Sequence, residues 1–334
     1  MKTALVAALV LSAALFMTAQ AQEAEPAFGQ EAVELRAFRN GDVEAAANER
    51  QSVSTHSHSH AHGGAHDHGV ESEIIFGFTL GSDTHPSGES KVAFETVGRL
   101  GKRSSHYVGI GQKLELAHAF THDLSASVSL LSDYHKVHAR SGYEADVEPV
   151  TARFMFNGFG GELRYRLLNR ATSPFGLTLH VEPVVAVSDE LSGIQGRKYG
   201  SENKIILDRT LVPDRWFAAL NLLHDMEVVR ERGTVAWSRG TNIGLALALT
   251  HQIAPNVFLG AETRYLRAYD GLSLATYSGN ALYAGPTFTI AKNGAFASLA
   301  YNGLIGGHEK GLSNGLDLTH FERHQIRVKI GLHF

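Results

Sequence analysis

Over residues 73–334 apolar and polar positions alternate with a period of two. Leu124, Ala126, Val128 and Leu130 alternate with Ser125, Ser127 and Ser129, and Leu163, Tyr165 and Leu167 with Glu162, Arg164 and Arg166. Ile243, Leu245, Leu247 and Leu249 alternate in the same way with Gly244, Ala246, Ala248 and Thr250. This is the pattern of β-strands with one apolar face. Thr121-His122-Asp123, Ala254-Pro255-Asn256 and Lys292-Asn293-Gly294 have the chemistry of tight connections between successive strands. Longer polar stretches at 139–149, 189–203, 270–280 and 306–320 lie between them. Strands are expected near 73–81, 90–98, 106–120, 123–136, 151–168, 174–188, 202–212, 215–230, 234–251, 255–268, 281–291, 294–304 and 321–334.

Many of these segments exceed the ~5–6 residues usual for strands of soluble proteins and match the ~9–11 that cross a bilayer at a tilt. Short turns alternating with long loops fit a transmembrane barrel better than a sandwich. Past residue 17 no run approaches the ~20 apolar residues of a membrane helix, so a membrane-spanning chain of this sequence is a barrel. Export is expected as well. Lys2 precedes the apolar run at 4–17, and Ala19-Gln20-Ala21 supplies a small-x-small cleavage site before Gln22.

Composition narrows the classes without choosing among them. The net charge is −4, with 19 neutral histidines, which gives no footprint for nucleic acid as a partner. With no Cys, disulfides and thiolate metal sites are excluded.

The last strand is the most specific feature. Ile326, Val328, Ile330, Leu332 and Phe334 occupy one face, and Gln325, Arg327, Lys329, Gly331 and His333 the other. It resembles the terminal strand of outer-membrane β-barrel proteins of Gram-negative bacteria, the porin-like class. That resemblance implies a bacterial outer-membrane location, contact with outer-membrane lipid, and recognition of Phe334 by the barrel assembly machinery. The expected architecture is all-β: an antiparallel transmembrane β-barrel of about 12 strands, with 14 as second choice, because thirteen segments do not fit an even-numbered wall.

Four zones are expected: a signal peptide at 1–21, an N-terminal extension at 22–52, a His-rich linker at 53–72 and the barrel at 73–334. The extension is either a short amphipathic helix or a flexible tail; the linker has no apolar anchor and is expected to be disordered. Both would lie in the periplasm. His56, His58, His60 and His62 recur at every second position, followed by His66, Asp67 and His68. Neutral imidazoles at this spacing can close around one divalent ion, Zn²⁺, Ni²⁺, Co²⁺ or Cu²⁺. The stretch is similar to His-rich segments of bacterial metal-handling proteins. Drift in a linker and pH sensing are the other readings of the same residues. The scattered His118, His180, His224, His251 and His333 read as strand residues, not ligands.

If the apolar faces meet lipid, the opposite parity lines the lumen: Glu162, Arg164, Arg166, His180, Glu182, Asp225, Glu227, Glu262, Arg264, Arg327 and Lys329, with Lys113 and Glu115 beside them. Mixed signs fit either ion pairs bracing the wall or a path for small polar solutes. A channel or transport component for such solutes or for divalent metal is therefore the first functional expectation. A lipid-modifying barrel enzyme and a structural or adhesive barrel are the alternatives. For the enzyme, His118 and Ser132 have suitable side chains, but no G-x-S-x-G or H-E-x-x-H motif occurs.

Overall fold

The computed structural model describes residues 71–143, 150–189, 193–313 and 315–334. Twelve antiparallel strands form one closed barrel. They are β1 (Ser90–Leu100), β2 (Ser105–Thr121), β3 (Leu124–Ala139), β4 (Val150–Leu168), β5 (Gly176–Ser188) and β6 (Gln195–Val212), then β7 (Trp216–Glu231), β8 (Ser238–Ala254), β9 (Val257–Asp270), β10 (Thr276–Lys292), β11 (Ala295–Glu309) and β12 (His324–His333). Each pairs with its sequence neighbours, and β12 closes on β1 with Lys91 opposite His333 and Leu100 opposite His324. No strand edge is left open, as a membrane wall requires.

The tight turns share one end with the start of β1 and the end of β12; this is the near end. Asp214, Asn256 and Asn293 take positive φ in these turns, and Asn293 is followed by Gly294, the Asn-Gly pair suited to a two-residue hairpin. The opposite, far end carries the longer connections.

Which face is apolar settles the class. Along β8, Leu245, Leu247 and Leu249 are exposed, whereas Ala246, Ala248 and Thr250 are buried. On β12 Ile326, Val328, Ile330 and Leu332 are exposed in the same way. Glu115, Arg164, His180 and Glu262 are each under 5% exposed and point inward. A water-soluble barrel would bury the leucines and expose the charges; only a barrel with lipid outside reverses the two faces. Phe120, Phe175, Trp216 and Phe334 are exposed around the near-end rim, where aromatic side chains mark a membrane interface.

Two expectations are corrected. The segment 73–81 is not a strand: residues 71–89 run inside the barrel as turns and bends, and the wall starts at Ser90. Removing that segment turns thirteen expected strands into twelve. Several strands also extend into the expected loops, because β6 begins at Gln195, β10 at Thr276, and β11 reaches Glu309. These extensions are polar and glycine-rich, since a strand reaching past the lipid needs no apolar face.

Candidate functional site

Residues 71–89 enter the lumen at the near end, cross it and return to β1. Their base is pinned by Ser72 N donating to Asp83 Oδ2 (2.8 Å) and Asp83 N donating to Ser72 Oγ (3.2 Å). Inside the loop so formed, the backbone has no neighbouring strand, so wall side chains satisfy it. Glu262 of β9 accepts from Phe78 N and Thr79 N, each at 3.0 Å, from Thr79 Oγ1 at 3.1 Å, and from Asn302 Nδ2 at 2.9 Å. Asn221 of β7 imitates a strand edge: its Oδ1 accepts from Leu80 N (2.7 Å) and its Nδ2 donates to Leu80 O (2.9 Å). Arg327 donates to Gly77 O (2.7 Å) and Arg164 to Gly81 O (2.6 Å). Thr178 donates to Ser82 O, and Ser82 donates to Asp208.

Apolar contacts complete the plug. Ile75 and Phe76 pack with Phe217, Ala219, Ala248 and Phe258 in a cluster at the near end. The Arg264 guanidinium lies 4.1 Å above the Phe78 ring, a cation–π contact. Gly77 is required by close approach, because a Cβ there would come within 2.6 Å of both Ala300 Cβ and Thr287 Cγ2.

The far end is narrowed by the β11–β12 connection. Leu318 and Phe321 turn inward and pack on Ala268, Ala281, Tyr283 and Leu304. Tyr283 Oη donates to Glu322 O (2.6 Å), and Lys102 Nζ donates to Thr319 O (3.1 Å). Asp317 accepts from His320 N and lies 3.0 Å from His320 Nδ1. That hydrogen bond holds the His320 imidazole above its ordinary pKa.

Between the plug and this loop lies a chamber of about 380 Å³. Eight acidic and eight basic side chains line it, so no net sign dominates. Several are paired: Lys113 with Glu182 at 2.8 Å and Arg327 with Glu95 at 2.7 Å between strands, and Lys204 with Glu202 along β6. His180 Nε2 lies 3.6 Å from Glu182 Oε2. A second cavity of about 430 Å³ opens toward the far end, and Glu227 and Asn242 line both.

The expected lumen residues divide by role. Glu162, Arg164, His180, Glu182, Asp225, Glu227, Arg264, Arg327 and Lys329 line the chamber. Glu262 grips the plug, and Arg166 lies lower, 3.2 Å from Asp123 and 3.9 Å from Asp83. Lys91 was not singled out from the sequence, although its place on the polar face of β1 was a signal; it is almost fully buried, 2.6 Å from Glu73 and 2.9 Å from Glu115. His118 meets Ser90, not Ser132: Ser90 Oγ lies 2.9 Å from His118 Nδ1, while Ser132 donates to Gln112. The His56, His58, His60, His62, His66, Asp67 and His68 set lies outside the described residues.

No curated protein matches the sequence. The fold is similar to that of an outer membrane channel from Pseudomonas putida F1, with a TM-score of 0.51 at 13% identity, over 76% of this chain and 98% of that one. A weaker likeness is to the translocator domain of the autotransporter NalP from Neisseria meningitidis, with a TM-score of 0.41 at 13% identity over 76% and 91% of the two chains. Another is to LpxR from Salmonella typhimurium, with a TM-score of 0.41 at 10% identity over 73% and 100%. The protein is thus an outer-membrane-type barrel, and a family model covering residues 68–334 places it: the chain belongs to the Family of unknown function (DUF6662).

Proposed function

We propose that the protein is a gated passage for small polar solutes in the bacterial outer membrane, with the near end in the periplasm. Short turns characterise the periplasmic side of such barrels, which supports this orientation. The observation that carries the reading is the charged chamber itself. A barrel needed only as a wall has no use for a polar cavity of about 380 Å³ joined to a far-end vestibule and stopped at one end by a separately anchored segment. Balanced lining charge favours polar or zwitterionic solutes and weak ion selectivity. In this orientation the His-rich stretch is periplasmic, where it would capture divalent metal before or after passage.

Single-channel recording in planar bilayers tests the reading. The wild type should conduct little and rarely, and Glu262→Ala, which removes the plug's main anchor, should conduct steadily. Silence from both proteins would refute a passage.

A lipid-modifying enzyme is the second reading, favoured by one observation. The Ser90–His118 pair sits on the lipid-facing parity at the near-end rim, with Phe120 edge-on to the imidazole at 5.1 Å. Phospholipid hydrolysis in detergent that is abolished by Ser90→Ala would establish it.

A further inference from the structure

We infer that Glu71, His85, Glu89 and His333 form a binding site for a Zn²⁺-like divalent transition-metal ion at the near-end mouth, separate from the His-rich stretch. One donor atom from each of the four lies within 4.8 Å of all the others. Glu71 Oε2 is 3.4 Å from His333 Nδ1 and 3.9 Å from His85 Nδ1. Donors around a tetrahedral zinc stand roughly 3.3–3.5 Å apart, given bonds of ~2.0–2.1 Å, so the set needs only small side-chain adjustments to close.

The imidazoles are set up for this. The side chains of His85 and His333 are 3% and 6% exposed, and their rings meet edge to face at 4.6 Å. His85 Nδ1 is buried without a hydrogen-bond partner. A buried polar atom left in that state is costly unless something occupies its lone pair. On its other side, His85 Nε2 lies 3.1 Å from Glu73, whose carboxylate is held in turn by Lys91 at 2.6 Å. The charge of a carboxylate beside Nε2 favours the proton there and leaves the Nδ1 lone pair directed into the cluster. This is the carboxylate–histidine–metal arrangement of protein metal sites. Two imidazole nitrogens and two carboxylate oxygens suit Zn²⁺ or Co²⁺ better than Mg²⁺ or Ca²⁺. Two carboxylates also supply the charge that the ion neutralises.

Three ligands belong to the plug and the fourth to β12. A bound ion therefore ties both ends of the plug to the closing strand. That consequence for gating rests on the passage reading; the binding does not.

The test uses the full chain with the six histidines from His56 to His68 changed to Ser, stripped with a chelator and titrated with Zn²⁺ by calorimetry. One ion per chain is expected, and Co²⁺ in its place should give visible d–d absorption. His85→Ala with His333→Ala should remove both signals. Glu73→Gln, which touches no ion and acts only by orienting His85, should weaken binding about 10-fold or more. If the double variant loses the heat-modifiable gel mobility of a folded barrel, Glu89→Gln and His333→Gln take its place and should each weaken binding to a similar degree. No Zn²⁺ bound by the Ser-substituted chain, or affinity unchanged in the folded variants, overturns the site. If the ion binds but chelator leaves bilayer conductance unaltered, the site stands and its gating role fails.

Discussion

The barrel is stopped at the near end and narrowed at the far end, by different means. At the near end the plug's backbone is held by buried charged and amide side chains: Glu262, Asn221, Arg327 and Arg164 each bond a peptide group directly. At the far end the β11–β12 connection combines its own Leu318 and Phe321 in an apolar patch with Lys102, Arg103 and Tyr283 donating to its carbonyl groups. A polar anchorage gives way sharply, because each buried group released without a new partner is costly. An apolar anchorage loosens gradually. The plug is therefore built as a two-state element and the far-end loop as a soft restriction.

Glu262→Ala should break the comparison most severely. Removing the carboxylate leaves Phe78 N, Thr79 N and Thr79 Oγ1 without their acceptor, at about 1–3 kcal/mol for each donor left buried. The plug should become open to protease and conductance should rise sharply, while Glu262→Gln should keep part of the closure. Leu318→Ala should cost about 2–4 kcal/mol of loop packing. It should speed hydrogen exchange across 315–323 and leave the closed-state conductance low, because the plug still stops the near end. Gly77→Ala places a methyl against Ala300 and Thr287 and should cost about 1–3 kcal/mol of overpacking. Its effect should appear as brief openings of an otherwise closed channel.

The smallest effect is that of pH on the far-end loop. His320 has a raised pKa when folded, so its stabilisation is fully present below the unfolded value near 6.5 and fades as pH rises through the folded value. The loss should be at most about 1 kcal/mol, because the pair is partly open to solvent. Loop exchange, corrected for the intrinsic rise of amide exchange with pH, should therefore quicken as pH climbs above about 6.5 in the wild type, and this step should vanish in Asp317→Asn.

The wall was legible in the sequence because lipid enforces strict parity. Ile243 to Leu249 and Ile326 to Phe334 could be placed by alternation alone, and the same parity assigned Glu162 to Lys329 to the interior. The plug was not legible, since Ile74-Ile75-Phe76 followed by Phe78 and Leu80 reads as a strand whether its backbone is paired by a neighbouring strand or by Glu262 and Asn221. Leu316 and Leu318 inside a stretch expected to be a loop, with Phe321 at the start of the expected last strand, were the available sign that the far end folds inward. The meeting of His85 and His333 depended on how the chain closes, β12 on β1, and no local pattern records that.

The plug also matters mechanically. Its bonds reach β1, β4 to β9 and β12, which lie on opposing sides of the cylinder. A cylindrical sheet bends most easily by flattening into an ellipse, and ties across the bore resist that deformation as spokes resist it in a wheel. Withdrawing residues 71–89 would then do more than clear a path. It would leave a softer tube whose cross-section yields to lateral pressure in the membrane.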